Sequence, residues 1–192
     1  MIRKTGDDII NGEKDKKMTK LIIVCGLSGS GKTVLAKELS KKLGIACLCK
    51  DDIKEKLYEG LNLSTPDDSK QIGKPSVDIL LYLAEQQLVN GIDVIIESPF
   101  NHSEDYPLFE NWKKKYNLDL YSVVCFIDFN ERKKRFLTRD RHEAHHDKYR
   151  VLNPLVEGVE FDYSTMPGRQ IRVETNKSVG ELAEYVVGEI SN

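Results

Sequence analysis

Five consecutive apolar residues, Leu21-Ile22-Ile23-Val24-Cys25, run without a break into Gly26-Leu27-Ser28-Gly29-Ser30-Gly31-Lys32-Thr33. The apolar run is the pattern of a strand buried on both faces. The eight residues after it fit G-x-x-x-x-G-K-[ST]. Val34, Leu35, Leu39 and Leu43 then recur at helical spacing until Gly44 stops the helix. Strand, glycine-rich turn and helix in that order form a loop whose backbone N–H groups can turn inward around phosphate oxygens. Gly26, Gly29 and Gly31 allow backbone angles that a Cβ would oppose. The helix start adds its positive end, Lys32 an ammonium for the β- and γ-phosphates, and Thr33 a hydroxyl for Mg²⁺. All eight residues, Gly26 to Thr33, are therefore expected to bind the nucleotide, ATP with Mg²⁺.

The rest of the chain repeats the alternation. ACLC (46–49), DVIIE (93–97), YSVVCFID (121–128) and RQIRVE (169–174) read as further strands. Helices are expected over 32–43, over a short segment following Asp51 and Asp52 to about Tyr58, and over 76–90, 105–116, 130–139 and 178–190. Residues 60–75, with Asn62, Pro66, Gly73 and Pro75, read as loop. Strands separated by helices pair in parallel through right-handed crossovers. The expected fold class is α/β, a three-layer domain on a parallel sheet of five strands. A chain of 192 residues suits one domain. Residues 1–18, polar and mixed in charge, read as a flexible leader, and 19–192 as the domain.

Composition narrows the function. Net charge is −2, which gives no bulk attraction for nucleic acid or membrane. No apolar run reaches the ~18–20 residues of a membrane span, and the N-terminus lacks a signal-peptide core. A cytoplasmic protein is expected, monomeric or a small homo-oligomer. Cys25, Cys47, Cys49 and Cys125 all lie in apolar runs and read as buried free thiols. Cys47 and Cys49 would share one face of a strand, with no second pair nearby to complete a zinc site.

Ligands of a parallel α/β sheet sit at the carboxyl ends of its strands. Asp51 and Asp52 follow the second strand, so they are expected to face the same crevice as the phosphate loop. A carboxylate there can accept a proton from an attacking hydroxyl, and both can also cap the following helix. Glu97 ends the third strand, where an acid can order the water shell of Mg²⁺. Between Arg3 and Arg132 the chain has no arginine.

In order and spacing, GLSGSGKT, CLCKDDIKEKL, VIIESPF and a basic helix running into RDRHEAHHD resemble the P-loop kinases that include polynucleotide kinase, zeta toxins and chloramphenicol phosphotransferase. The resemblance covers residues 20–190. It implies the P-loop NTPase fold with strand order 2-3-1-4-5, Mg-ATP as phosphoryl donor, and the hydroxyl of a small molecule or nucleic-acid end as acceptor. It makes Asp51 the general base. Lys54 stands where polynucleotide kinase has an arginine on the substrate phosphate. The resemblance puts Arg132 on the adenine, and Arg135, Arg139 and Arg141 on or beside a lid at about 136–150. One or two of these would close over the transferring phosphoryl group; Arg139 and Arg141 are the catalytic candidates beside Lys32. Phe100 and His102 would line the acceptor pocket, and Thr33 with Glu97 would hold the metal.

Other readings compete. His142-Glu143-Ala144-His145-His146 fits the zinc-protease pattern H-E-x-x-H, yet its flanks offer no apolar face to dock a helix and no histidine follows. A guanine switch needs N-K-x-D and D-x-x-G. Asn176-Lys177 lacks the aspartate, and D-x-x-G is missing from the sequence. A P-loop ATPase or switch without an acceptor stays open. So does a nucleoside monophosphate kinase, although the arginine-free first half argues against a phosphate-bearing acceptor.

Overall fold

The continuous apolar runs form the middle layer. In the computed structural model, which describes residues 18–146 and 161–191, strands β1 (Thr19–Cys25), β2 (Ala46–Cys49), β3 (Val94–Glu97), β4 (Leu118–Phe126) and β5 (Arg169–Glu174) make one parallel sheet in the order β2-β3-β1-β4-β5. β1 lies at the centre, with Ile22 opposite both Ile95 and Tyr121. Its residues from Leu21 to Cys25 are fully buried, as a strand covered on both faces requires.

Each face of the sheet has its own core. Leu21, Ile23 and Ile96 point to the side covered by α4 (Gly73–Val89) and α5 (Tyr106–Tyr116), where Leu80, Ala84, Phe109 and Trp112 pack. Ile22, Val24 and Ile95 point to the side covered by α1 (Lys32–Leu43) and α7 (Val179–Ser191), against Leu35, Leu39, Ala183 and Val186. This is the three-layer arrangement with the expected strand order. Among the described residues no helix is long and apolar enough to cross a membrane.

Several boundaries differ from the sequence expectation. Residues 60–75 are not a loop: α3 (Pro66–Gln71) and the first turn of α4 lie there. Thr65 caps α3. Its hydroxyl accepts from the Asp68 N–H, the Asp68 carboxylate accepts from the Thr65 N–H, and Pro66 occupies the first turn, where its missing N–H costs nothing. Pro66, which reads as a loop signal, is thus a helix start. Helix α2 (Lys50–Gly60) begins before the aspartates, because extended Cys49 is its N-cap and Asp51 and Asp52 fall inside the first turn. β4 starts at Leu118, three residues early, immediately after Asn117 ends α5 in the left-handed conformation. A 3-10 turn at Ser103–Asp105 leads into α5, and α6 spans Phe129–Thr138. The expected leader lies outside the described residues except for Met18, and so do lid positions 147–150.

Candidate active site

The phosphate loop joins β1 to α1. Gly26, Gly29 and Gly31 take φ values of 141°, 86° and 81°. A Cβ on Gly26 would lie 2.3 Å from the Cys125 carbonyl oxygen, and one on Gly29 2.7 Å from that of Arg132. The loop therefore presses its Cα atoms onto β4 and α6, a wrap no larger residue could follow. Thr175, just past β5, fixes the loop from the far side: its hydroxyl donates to the Ser30 carbonyl at 2.8 Å. Arg135 donates in turn to the Thr175 hydroxyl and carbonyl at 3.1 and 2.8 Å.

Lys32 is buried, with its ammonium 3.7 Å from Glu97 at the end of β3. Burial pushes the Glu97 carboxyl pKa up, while Lys32 and the Thr33 side chain pull it down. Ser30 Oγ and Glu97 Oε2 are the buried side-chain polar atoms left without a hydrogen-bond partner among the described residues. Both belong to this corner. An orphaned acceptor and an orphaned hydroxyl beside an inward-curled glycine loop fit a phosphate group and a hydrated cation, groups that supply the missing partners. Thr33 and Glu97 have the hard oxygen chemistry that magnesium favours.

From this loop a cavity of about 1510 Å³ continues past Asp51 to Phe100, Asn101, His102 and Asp105. Asp51 has Lys50 Nζ at 3.1 Å, Arg141 in direct contact and His145 Nδ1 at 3.9 Å. Burial alone would raise its pKa. Lys50, Arg141 and Lys32 together outweigh burial and hold the carboxyl well below the usual carboxylate range. Asp51 is thus ionised. Asp52, one residue on, lines the same cavity as expected and pairs with Lys37 at 3.0 Å.

The segment after α6 is laid on α2. His142 Nε2 meets Glu59 at 3.2 Å, His145 Nε2 meets Glu55 at 2.7 Å, and His146 Nε2 meets the Tyr58 hydroxyl at 3.1 Å. Ala144 is buried between Tyr58 and Ile72. Burial depresses the His145 pKa to about 3, so the neutral ring donates its Nε2 proton to Glu55. The H-E-x-x-H stretch forms a single 3-10 turn at Glu143–His145, and its first and last histidines go to different α2 side chains. That geometry is not the helical face a zinc protease needs.

The expected site residues separate into two groups. Leu27, Ser28, Gly29, Gly31, Lys32, Thr33, Asp51, Phe100, His102, Arg132, Arg135, Arg139 and Arg141 all line the one cavity. Gly26, Ser30 and Glu97 lie directly behind its wall, at the root of the loop. Arg132 is buried, its backbone against Gly29 and its guanidinium over Phe129. Arg139 stacks on Phe136, 4.2 Å from the ring centroid. Phe100 has a dual position: it lines the cavity and also packs edge-on to Phe109 in the core.

Lys54 departs from expectation. Its side chain is buried under α2, where the ammonium donates to Ser69 Oγ at 2.7 Å and that hydroxyl donates to the Ala144 carbonyl at 2.6 Å. On α2, Lys54 lies one helical turn beyond Asp51, and that rise along the axis takes its ammonium to Ser69 on α3 instead of into the cavity. Lys50, Glu55, Asp105 and Thr175 also line the cavity and were not expected from the sequence. The Lys-Asp-Asp run did carry a signal for Lys50, since a residue preceding a strand-end acid sits at the same crevice.

The family model described as AAA domain matches residues 21–153 of the chain. No curated protein matches it. Among solved structures, a protein of Chloroflexus aurantiacus, named provisionally as a kinase, is 24% identical with a TM-score of 0.76, over 90% of this chain and 98% of its own. An APS kinase of Mycobacterium tuberculosis, solved with AMPPNP and APS, is 19% identical with a TM-score of 0.60, over 91% and 99%. A gluconokinase of Sinorhizobium meliloti is 15% identical with a TM-score of 0.53, over 90% and 91%. These likenesses establish the fold, a P-loop domain with the kinase order of strands.

Proposed function

The chain belongs to the AAA domain family, and on that footing we propose that it is a cytoplasmic Mg-ATP-dependent kinase that transfers the γ-phosphate of ATP to the hydroxyl of a small molecule. One observation carries this reading. A single cavity joins the phosphate loop to Asp51 and then to a further pocket at Phe100, Asn101, His102 and Asp105. A hydrolase needs room only for water beyond the γ-phosphate, whereas this space extends from the phosphate loop past Asp51 to a further set of lining side chains. The kinase names of the fold neighbours, APS kinase and gluconokinase among them, support a small-molecule acceptor over a nucleic-acid end.

In this mechanism the loop N–H groups and Lys32 hold the phosphates and take up the charge that spreads over the transferring phosphoryl group. Asp51 accepts a hydrogen bond from the acceptor hydroxyl and aims its oxygen at phosphorus. A new P–O bond forms, the bond from phosphorus to the departing ADP oxygen breaks, and the hydroxyl proton passes to Asp51 and on to solvent. A carboxylate held low is a weak base. It suits a loose transition state, in which the proton leaves late and positioning contributes most. Arg139 and Arg141, on the lid at about 136–150 of a domain spanning 19–192, neutralise charge at the transferring group. Thr33 and Glu97 would hold magnesium, which when bound shields the phosphate charge. Arg132 and Arg135 line the side where the base of the nucleotide would lie.

The test is a panel of hydroxyl-bearing small molecules, with oligonucleotides bearing a 5′-hydroxyl alongside, incubated with γ-labelled ATP and magnesium. Label on a small molecule supports the proposal. Label released only as inorganic phosphate, across the whole panel, would make the protein an ATPase.

A further inference from the structure

Cys47 and Cys49 lie on the same face of β2, with their sulfurs 3.6 Å apart. Among the described residues β2 is an edge strand, bonded only to β3 in the sheet. Cys47 is half-buried and Cys49 buried. Cys49 is also the N-cap of α2, two residues before Asp51. We propose that Cys47 and Cys49 are an oxidation site, converted by a hydroperoxide to an intrachain disulfide that bends the end of β2 and displaces the first turn of α2.

The two thiols divide the work by position. Cys47 is the accessible one. Cys49 is buried behind it with its sulfur 3.6 Å away, so an oxidant meets Cys47 first and Cys49 stands ready to resolve it. The Cys47 sulfur attacks one oxygen of the hydroperoxide. An S–O bond forms, the O–O bond breaks, and the departing oxygen leaves protonated as alcohol or water. The sulfur of Cys49 then attacks that of Cys47. An S–S bond forms, the S–O bond breaks, and hydroxide leaves as water with the Cys49 proton. Two thiols lose two electrons and the hydroperoxide gains them.

Geometry supplies the consequence. Residues i and i+2 of an extended strand are about 6.6–6.8 Å apart at Cα. That is the upper end of the disulfide range, whose mode is about 5.5–6 Å. Closing the bond shortens β2 at its last residues. Among the described residues no strand holds its outer edge, so the strand gives there, and the N-cap moves with it. The thiol chemistry stands apart from the kinase reading; only its effect on transfer, through Asp51, rests on that reading.

The full-length protein is treated with hydrogen peroxide, denatured, alkylated and digested with trypsin. The expected result is a Leu43–Lys50 peptide that has lost two hydrogens and both alkylation sites, recovers them after dithiothreitol, and forms while Cys25 and Cys125 remain alkylatable. Hydrogen exchange should quicken in the first turn of α2. Cys49→Ser should stop at a Cys47 sulfenic acid trapped by dimedone, and Cys47→Ser should leave Cys49 unoxidised. Both thiols still alkylatable, equal oxidation of Cys25 and Cys125, or a disulfide between chains would overturn the site. A disulfide without any change in α2 exchange would overturn the displacement. If either variant fails to fold, the wild-type peptide and exchange data decide. Loss of transfer on oxidation, restored by dithiothreitol, links the site to Asp51. A reduced protein that transfers nothing would count against the kinase reading and leave the thiol result intact.

Discussion

Arg141 closes onto the carboxylate of Asp51 across 90 residues of chain. The contact joins the segment after α6 to the first turn of α2, and so brings a guanidinium to the acid proposed to receive the acceptor. Arg141 in this position joins Lys50 in holding Asp51 ionised.

Asp51→Asn keeps the size of the side chain and removes its ability to take a proton. Phosphoryl transfer should fall by ~10²–10⁴-fold, the range for losing a general acid–base group. Nucleotide affinity, measured by calorimetry, should stay within a few-fold of wild type. An equal loss of ATP affinity would mean that Asp51 serves the phosphates rather than the acceptor.

Arg141→Ala should move the acid limb of the pH–rate profile to higher pH. The Asp51 pKa lies below its ordinary value because nearby cations outweigh burial; Lys50 contributes most and Arg141 next. Taking Arg141 away lets burial raise it. The stability that ionised Asp51 contributes is present above the ordinary carboxylate value and is lost as pH falls through the depressed one. The variant should therefore also unfold at a higher pH than wild type in acid titration followed by circular dichroism.

Lys32→Ala should abolish turnover of ATP. The ammonium is the buried cation of the phosphate loop and the partner of Glu97. Its loss removes charge stabilisation from the transferring group and leaves the carboxylate unpaired. Labelled-phosphate transfer near the wild-type rate would sink the mechanism.

Ser69→Ala should destabilise the fold by about 1–3 kcal/mol, the usual cost of stripping a buried polar group of a partner. The Ser69 hydroxyl links Lys54 to the Ala144 carbonyl and so ties α2, α3 and the segment after α6 together. Urea denaturation reads the stability. KM for the acceptor should rise as well, since the same link seats Arg141 and His145 beside Asp51.

Much of this architecture was legible in the sequence, because a parallel sheet covered on both faces demands unbroken apolar runs. Leu21 to Cys25 and Val94 to Ile96 supply them. The phosphate loop was legible for a related reason: its geometry is dictated locally, glycine by glycine. Asp51 could be placed because the end of a strand fixes where its next residues go. What failed depended on contacts between distant segments. Lys54 read as a substrate cation, and nothing local reveals that Ser69 and Ala144 take it inside. Pro66 read as a breaker until the Thr65–Asp68 box showed it to be a helix start. His145 and Glu55 meet across 90 residues, and no spacing rule pairs them.

Thr175 binds the Ser30 carbonyl on one side and receives Arg135 on the other. On the proposed reading, the phosphates and the base of a bound nucleotide would thus lie against groups tied together through one threonine. Such a caliper measures length. A donor with an extra phosphate, or with its base held closer, could satisfy one jaw only by abandoning the other. Selectivity for the triphosphate would then follow from a fixed span rather than from any contact that recognises the third phosphate itself.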